Sequence, residues 1–555
     1  MPAPLDELSR QADAFAKLPP AAKATLIGAC KNALAAAAPA WVADACQAKG
    51  LDMSEAGEEW LAGPLPSVRM AYLLERSLEA VARDGKPPLG TGTFTGPGGR
   101  LAIDLFPTSA FDRALFAGFS GYALMQAGID AAEARRRQAS FFDRRDPAGE
   151  ISLVLGAGNV SSIPPMDVFT KMFIEGKACL LKMNPVNAWL GPHLERGLEP
   201  LLSRGFLRIV YGGADVGASL VYDERIRDVH LTGSDKTHDT IVWGPPGPDR
   251  DRRKAQNTPL LDKPFTSELG NVGPVVIVPH DYSDEELKFQ ARNVVTMITN
   301  NAGFNCNAAH VIITSSSWPQ CERFFDVVAR TFAKIPPRRA YYPGARDRHA
   351  TLTAGRKRVA YFGEPRDGEL PWALVRDVES LDTRDRAFHT EPFCGLASET
   401  VLPSQGPIDF LDRATRFVND TLWGTLNACL IVPPSLERDN AFKSALDRAL
   451  VELRYGTVGI NHWPGIGYGA TSLPWGAYPG STLTDIQSGR GWVHNTYMLE
   501  GIDKAVIRGP LRARPAPVWF SDNHASTRIG PRIVDLQANP AWRKMPGFLL
   551  RALGG

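Results

Sequence analysis

The sequence predicts an α/β protein made of two α/β units, each a parallel sheet covered by helices on both faces. Three observations predict it. From Glu150 onward, short apolar runs of strand length alternate with longer amphipathic ones. The alternation pauses at a polar, Pro-rich stretch (residues 245–259) and then resumes with a second set of apolar runs. The chain, at 555 residues, is also too long for one hydrophobic core.

The elements follow in order. Residues 1 to about 80 place apolar side chains three and four apart with few breakers, which predicts helices. GKPPLGTGTFTGPGGR (85–100) is a run of breakers and predicts a loop or hairpin. Residues 111–142 predict a second helical stretch. ISLVL (151–155) is a buried strand, followed by the turn GAGN and a helix over 166–174. KACLLK (177–182), FLRIVY (206–211) and VHLTG (229–233) predict further strands separated by helices. Segment 245–259 is charged, and a solvated surface loop explains it better than a nucleic-acid patch. VGPVVIVP (272–279), AAHVIIT (308–314) and LNACLIVP (426–433) are the strands of the second unit. The predicted organisation is therefore residues 1–267, N-terminal helices with the first α/β unit; 268–460, the second; and 461–555, a C-terminal segment returning to the first.

Composition excludes several classes of function. Hydrophobic residues make up 44% and charged residues 22%, as in ordinary globular proteins, and the formal net charge is +2. No global field favours nucleic acid. The N-terminus lacks the apolar core of a secretory signal, and no uninterrupted apolar run of about 18 residues predicts a transmembrane helix. Seven scattered cysteines, with no C-x-x-C pair, predict a reduced, cytoplasmic protein with no metal site.

Two residues carry the chemistry. Cys306 lies in NNAGFNCNAAHVIIT, after a helix and just before a strand. A lone cysteine is most often a small buried hydrophobe. Small and polar neighbours, however, bring backbone N–H groups near the sulfur, which favours a thiolate. The other six cysteines read as helix or strand interior. Glu268, in FTSELGNVGPVVIV, immediately precedes a buried strand. Buried there, its pKa rises toward neutrality, as a general base requires; paired with a Lys or Arg it would be structural. Gly156-x-Gly158 and GGADVG (212–217) are tight turns between strand and helix that suit a phosphate or simply a change of direction. Lys182 ends its strand within reach of such a ligand or of solvent.

In chain order these segments resemble the aldehyde dehydrogenase superfamily, over about residues 150–504. GAGN places Asn159 at the family's oxyanion asparagine, with Gly158 where the family has Trp. GKACLLKMNP is similar to the strand ending in the adenosine-ribose lysine, Lys182. YGGADVG matches the Gly-x-x-x-Gly turn, Gly213 to Gly217, and HLTGS the Thr-Gly-Ser motif, Thr232, Gly233 and Ser234. SELGN resembles Glu-Leu-Gly-Gly and puts the general base at Glu268, with Leu269 and Gly270 beside the cofactor. NAGFNCNA matches Gly-Gln-x-Cys, with Phe304 in place of Gln and the nucleophile at Cys306. EPFCG resembles Glu-x-Phe-Gly-Pro, so Glu391 would hold the nicotinamide ribose with Phe393 packed beside it. Pro474-Trp475-Gly476 falls at the family's Pro-Phe-Gly near the C-terminus.

The resemblance implies a Rossmann-like cofactor domain, a catalytic thiol domain and a C-terminal extension. It implies oxidation of an aldehyde to its acid through a Cys306 thiohemiacetal and thioester, with Glu268 activating water. Pro185 stands where NAD-preferring members often carry Glu, so the cofactor is NAD or NADP. The implied partners are a small aldehyde and further copies of the chain, as a dimer or tetramer. Two alternatives are an acyl-CoA reductase or CoA-acylating dehydrogenase on the same fold, toward which GNVSSIPP leans, and a non-catalytic dinucleotide-binding protein. A poised base favours hydrolysis over acyl transfer, and the joint presence of Cys306, Glu268 and Glu391 disfavours a dead site. Aromatic residues Phe304, His462, Trp463 and Trp475 suggest an apolar aldehyde tunnel or simply core.

Overall fold

A computed structural model describes residues 2–548. Two sheets organise it. The first runs in the order Gly489–Arg490, Phe265–Glu268, Asp228–Thr232, Ile151–Leu155, Ala178–Lys182, Leu207–Val210. Its five strands from 265–268 to 207–210 are joined by four parallel pairings, and only the short 489–490 edge is antiparallel. Ile151–Leu155 and Ala178–Lys182 are buried along their whole length, as strands covered on both faces must be. One covering layer is built from the helix Pro20–Lys49 and its neighbours; the other includes Leu5, Leu8 and Trp243.

The second sheet has eleven strands, in the order Gly92–Thr95, Leu101–Phe106, Ser120–Met125, Ile502–Arg508, Thr457–Ile460, Asn427–Ile431, Pro274–Ile277, Val311–Ser315, Leu396–Leu402, Trp372–Val378, Val359–Phe362. Its centre, from 502–508 to 372–378, is parallel, and both flanks are antiparallel. The chain passes between the sheets at 268–274, directly after Glu268. Asn159 and Glu268 therefore sit at the carboxyl ends of parallel strands, where open α/β sheets bind ligands, and Cys306 approaches them from the turn before the strand Val311–Ser315.

Four sequence expectations need correction. The helix expected over 111–142 is instead a short helix Ala110–Leu115, the strand Ser120–Met125 and a short helix Ala131–Arg137. Ser109 and Asp130 cap the two helices, Gly118 and Gly128 turn the chain with positive φ, and SGYALM pairs with 502–508. Strands 92–125, assigned from sequence to the N-terminal unit, accordingly belong to the second sheet, as does 502–508 beyond Ile460. From 461–555 only Gly489–Arg490 joins the first sheet; residues 549–555 lie outside the described range. The presumed loop 245–259 contains the helix Pro248–Gln256, which buries nothing. Pro at its first position, Asp249 and Asp251 in its first turn and Arg253 and Lys254 in its last suit the helix dipole.

The helix Pro20–Lys49 is long and apolar enough to cross a membrane by length and composition alone, with half of its most apolar stretch buried. It packs against Pro64–Asp84 and Gly191–Gly197. It carries Lys23, Lys31 and Lys49 at buried positions, two of them ion-paired, to Glu75 and Glu59. Those are the features of a core helix.

Candidate active site

The loop that carries Cys306, the candidate nucleophile, begins where the helix Asp284–Thr299 ends. Residues Asn300–Gly303 form a tight turn in which Asn301, Ala302 and Gly303 all have positive φ. Only glycine fits at 303, because a Cβ there would lie 2.3 Å from the backbone carbon of Cys394. Asn301 clamps the turn: its amide Nδ2 donates to the Asn159 and Phe304 carbonyls at 3.2 and 3.1 Å. Its Oδ1 accepts from Lys49 Nζ (3.0 Å) and the Tyr341 hydroxyl (2.9 Å). Lys49, itself paired with the buried Glu59, ties the N-terminal helices to this loop. Cys306 follows in a turn, five residues before the strand Val311–Ser315 rather than at its start. Asn427 donates from Nδ2 to the Cys306 carbonyl at 3.3 Å.

Glu268 ends its strand fully inside the protein. The Cys306 thiol donates to Glu268 Oε1 at 3.5 Å, and the Trp475 indole donates to the same oxygen at 2.9 Å. Glu268 Oε2 is buried without a hydrogen-bond partner. Burial first, and the nearby Asp167 second, push the Glu268 carboxyl up to about 7, against the opposing bonds from Trp475 and Cys306. The Cys306 thiol moves the other way from the sequence expectation. Burial, with Glu268 and Glu391 close by, raises it well above an ordinary thiol, although its own backbone N–H opposes the rise. The resting pair is thus a neutral thiol hydrogen-bonded to a base.

Asn159 is buried at the same point, and its Nδ2 donates to the Phe304 carbonyl at 2.9 Å. That bond fixes the amide plane and leaves the second N–H of the same nitrogen.

Two cavities meet at Cys306. The first, about 820 Å³, is a cleft along the carboxyl edge of the first sheet. Lys182, Gly217, Thr232, Gly233, Ser234, Leu269, Gly270, Glu391 and Phe393 line it, with Asn159, Glu268 and Cys306 at its inner end. Gly213 stands just outside, as the N-cap residue of the helix Ala214–Val221. Ala214, Gly217, Ala218 and Val221, one face of that helix, front the cleft, and a Cβ on Gly217 would meet nothing within 4 Å. Thr232 contributes mainly backbone, because its hydroxyl turns inward and donates to Asp167 at 2.8 Å. Ser234 caps the helix Asp235–Trp243 by accepting from the Thr237 N–H. Glu391 accepts from the Asn271 N–H at 3.2 Å, and burial pushes its carboxyl up to about 8. A Cβ on Gly270 would come within 2.2 Å of that carboxylate. A flat, small-residue helix face, a helix N-terminus and a buried carboxylate near the nucleophile together fit a dinucleotide.

The second cavity, about 550 Å³, reaches Cys306 from the opposite side, between N-terminal helices and the C-terminal segment. Of the four aromatics suggested from sequence, only Trp463 lines it. Phe304 packs among Tyr341, Tyr342 and Phe393; His462 lies between Phe119 and Phe289; Trp475 serves Glu268.

Sequence reading also missed Asn301, Asp167 and Arg348. Arg348 donates to the Pro392 and Phe393 carbonyls at 2.8 and 3.1 Å and so holds the Glu391 loop against the cleft. An arginine on an ordinary helix carries no such signal. The cysteine reading errs at Cys394, which sits in a loop.

Comparison with known proteins agrees with this fold. The family model for the aldehyde dehydrogenase family matches residues 115–340. Solved structures superpose over nearly the whole chain. An indole-3-acetaldehyde dehydrogenase in complex with NAD+ has a TM-score of 0.60 at 17% identity, covering 91% of this chain and 88% of its own. An NAD-dependent aldehyde dehydrogenase from Sinorhizobium meliloti gives 0.59 at 15% identity, covering 92% and 87%. An NADP-dependent enzyme from E. coli gives 0.58 at 17%, covering 91% and 89%. No curated protein matches by sequence. The fold is that of the aldehyde dehydrogenases. The sequence over residues 115–340, and the fold over nearly the whole chain, are similar to those of aldehyde dehydrogenases.

Proposed function

We propose that the protein oxidises an aldehyde to the carboxylic acid with a nicotinamide dinucleotide, NAD or NADP, using Cys306 as nucleophile and Glu268 as base. The observation that carries this reading is one sulfur shared by two cavities, with a neutral-range carboxylate 3.5 Å away.

The aldehyde arrives through the tunnel and presents its carbonyl carbon to Cys306 Sγ. As the C–S bond forms, the thiol proton passes to Glu268 Oε1, the oxygen it already faces. A carboxyl at about 7 is half ionised at neutral pH and matched to that transfer. The carbonyl becomes an oxyanion, stabilised by the remaining Asn159 amide N–H and the Cys306 backbone N–H; each such donor is typically worth ~3 kcal/mol of barrier. Lys182, Gly217, Ser234 and Glu391 would hold a nicotinamide dinucleotide in the cleft, where it would supply the hydride acceptor for oxidation of the Cys306-bound thiohemiacetal to the thioester. Glu268, having released its proton, then takes one from water as the water oxygen adds to the thioester. Collapse breaks the C–S bond, returns the proton to sulfur and frees the acid. Gain of one water, with loss of one hydride to the cofactor and of one proton from Glu268 to solvent, balances the conversion.

The test is turnover of an aldehyde panel with NAD+ and NADP+, with and without CoA, alongside iodoacetamide labelling. The expected result is CoA-independent production of NADH or NADPH, lost in step with alkylation of Cys306. Turnover that requires CoA, or activity that survives Cys306 labelling, would overturn the hydrolytic mechanism.

A further inference from the structure

The C-terminal segment is longer than the motifs need, and it forms a wall of the second cavity. Residues 518–524 line that cavity, and the helix Ala525–Ala538 then packs on Gly57–Ala62 and Pro64–Asp84. The segment is firmly fixed. Arg292 grips Asp522 through two bonds at 2.7 and 2.8 Å, Ser521 N donates to Thr296 Oγ1 at 3.0 Å, and Phe520 packs on Phe289. Facing it are Leu65, Phe106, Phe116, Ile163 and Ile466, with Val518 on the segment itself.

Polarity along the tunnel is graded. Next to Cys306 stand Asn300, Asn305 and Asn307, of which Asn300 and Asn305 satisfy each other and Asn307 Oδ1 is buried without a hydrogen-bond partner. The charged residues of the wall are already committed or wet. Arg338 is held by Glu58 at 3.3 Å and Asp522 by Arg292, while Lys334 and His524 are exposed. Among the described residues of the wall, a carboxylate or phosphate on the far end of a substrate therefore meets one mostly buried cation, Arg338, and would have to compete with Glu58 for it.

Building on the dehydrogenase reading, we propose that the substrate class is aldehydes bearing an extended apolar group, a medium aliphatic chain or an aryl-alkyl group. The segment 518–524 is the element that sets this preference. A largely apolar cavity of about 550 Å³ is of the size that encloses such a group. Water is released along the whole chain, while the carbonyl end reaches the polar floor.

The experiment compares kcat/KM for acetaldehyde, butanal, hexanal, octanal, phenylacetaldehyde, glycolaldehyde and succinic semialdehyde. The expected profile rises about threefold to fourfold per methylene until the tunnel is filled, with the two polar aldehydes at the bottom. Val518→Trp, which fills the tunnel from the tail side, should lower the octanal-to-acetaldehyde ratio at least tenfold. A flat profile, a preference for succinic semialdehyde, or an unchanged ratio in a folded V518W would overturn the proposal. Quenching of tryptophan fluorescence in Cys306→Ala by octanal, against glycolaldehyde, gives a reading independent of turnover. Octanal binding with no aldehyde turned over by the wild type would support the tunnel and sink the dehydrogenase reading. Turnover of all aldehydes at equal kcat/KM would do the reverse.

Discussion

The cleft and the tunnel meet at one sulfur but are built on different principles. The cleft is made of turns at the ends of parallel strands, where backbone must approach a ligand: Gly156, Gly217, Gly233 and Gly270 all line it. The tunnel is made of side chains from the two ends of the chain, Leu65 and Val518 among them, that meet only after folding. The first kind of surface demands particular residue types at fixed spacing. The second demands only apolar residues of suitable size, which many sequences meet equally well. On the proposed function, recognition of the cofactor is therefore written in motifs, and recognition of the aldehyde in shape.

Glu268 tests that division most severely, because it lines the cleft and not the tunnel. Glu268→Gln should reduce steady-state kcat by roughly 10²–10⁴-fold. Because Glu268 takes the thiol proton first and a proton from water later, the burst of reduced cofactor should slow as well as the hydrolysis that follows, and hydroxylamine should accelerate only the second. The loss should be the same factor for acetaldehyde and octanal; a loss that scales with chain length would put the base on the tunnel side and break the comparison. The same variant has a stability signature. The folded carboxyl is raised to about 7, so the native state binds the proton more tightly than the unfolded chain. The charged form is thus destabilising, fully above pH 7, and the cost fades as pH falls toward the ordinary carboxylate range. A neutral glutamine that still accepts from Trp475 should melt higher than wild type at pH 8, by on the order of 3 kcal/mol in stability, with the gap closing below about pH 5. Equal melting at both pH values would show that the carboxylate is not desolvated.

Glu391→Gln sharpens the comparison from the cleft alone. Exchanging one of the carboxyl oxygens that face the cofactor for an amide NH2 should raise the cofactor KM about tenfold and leave the aldehyde KM within twofold, measured by initial rates with each substrate varied. A rise in the aldehyde KM of the same size would merge the two sites into one.

The division also explains what the sequence shows and hides. Strands such as ISLVL and KACLLK read as buried parallel strands because uninterrupted apolar runs bounded by turns admit few other solutions. SGYALM does not, since its alternation is brief and flanked by helix-compatible residues, and only pairing with 502–508 decides it. Cys306, Glu268 and Glu391 stand out as chemically unusual residues beside glycines and strand ends. Asn301 and Arg348, which hold the nucleophile and the Glu391 loop in place, look like ordinary polar residues until their partners from elsewhere in the chain are known. The Cys306 thiol departs from the sequence expectation for the same reason: the turn is legible, but its burial and the two carboxylates brought against it by the fold are not.

The smallest effect separates a base tuned by its surroundings from one that is merely nearby. Trp475 is buried and donates to the Glu268 oxygen that also faces the thiol. Its bond favours the carboxylate and opposes the rise caused by burial and Asp167. Trp475→Phe keeps an aromatic ring in the pocket and removes only the donor, so the Glu268 carboxyl should move further up from about 7. Because the base must be ionised, the rising limb of kcat against pH should shift to higher pH, while the plateau above it falls less than threefold. Glu268→Gln in the same background should abolish the limb altogether. A limb that stays where it was in Trp475→Phe would mean that the rate reports another group, and that Glu268 lies beside the thiol without governing it.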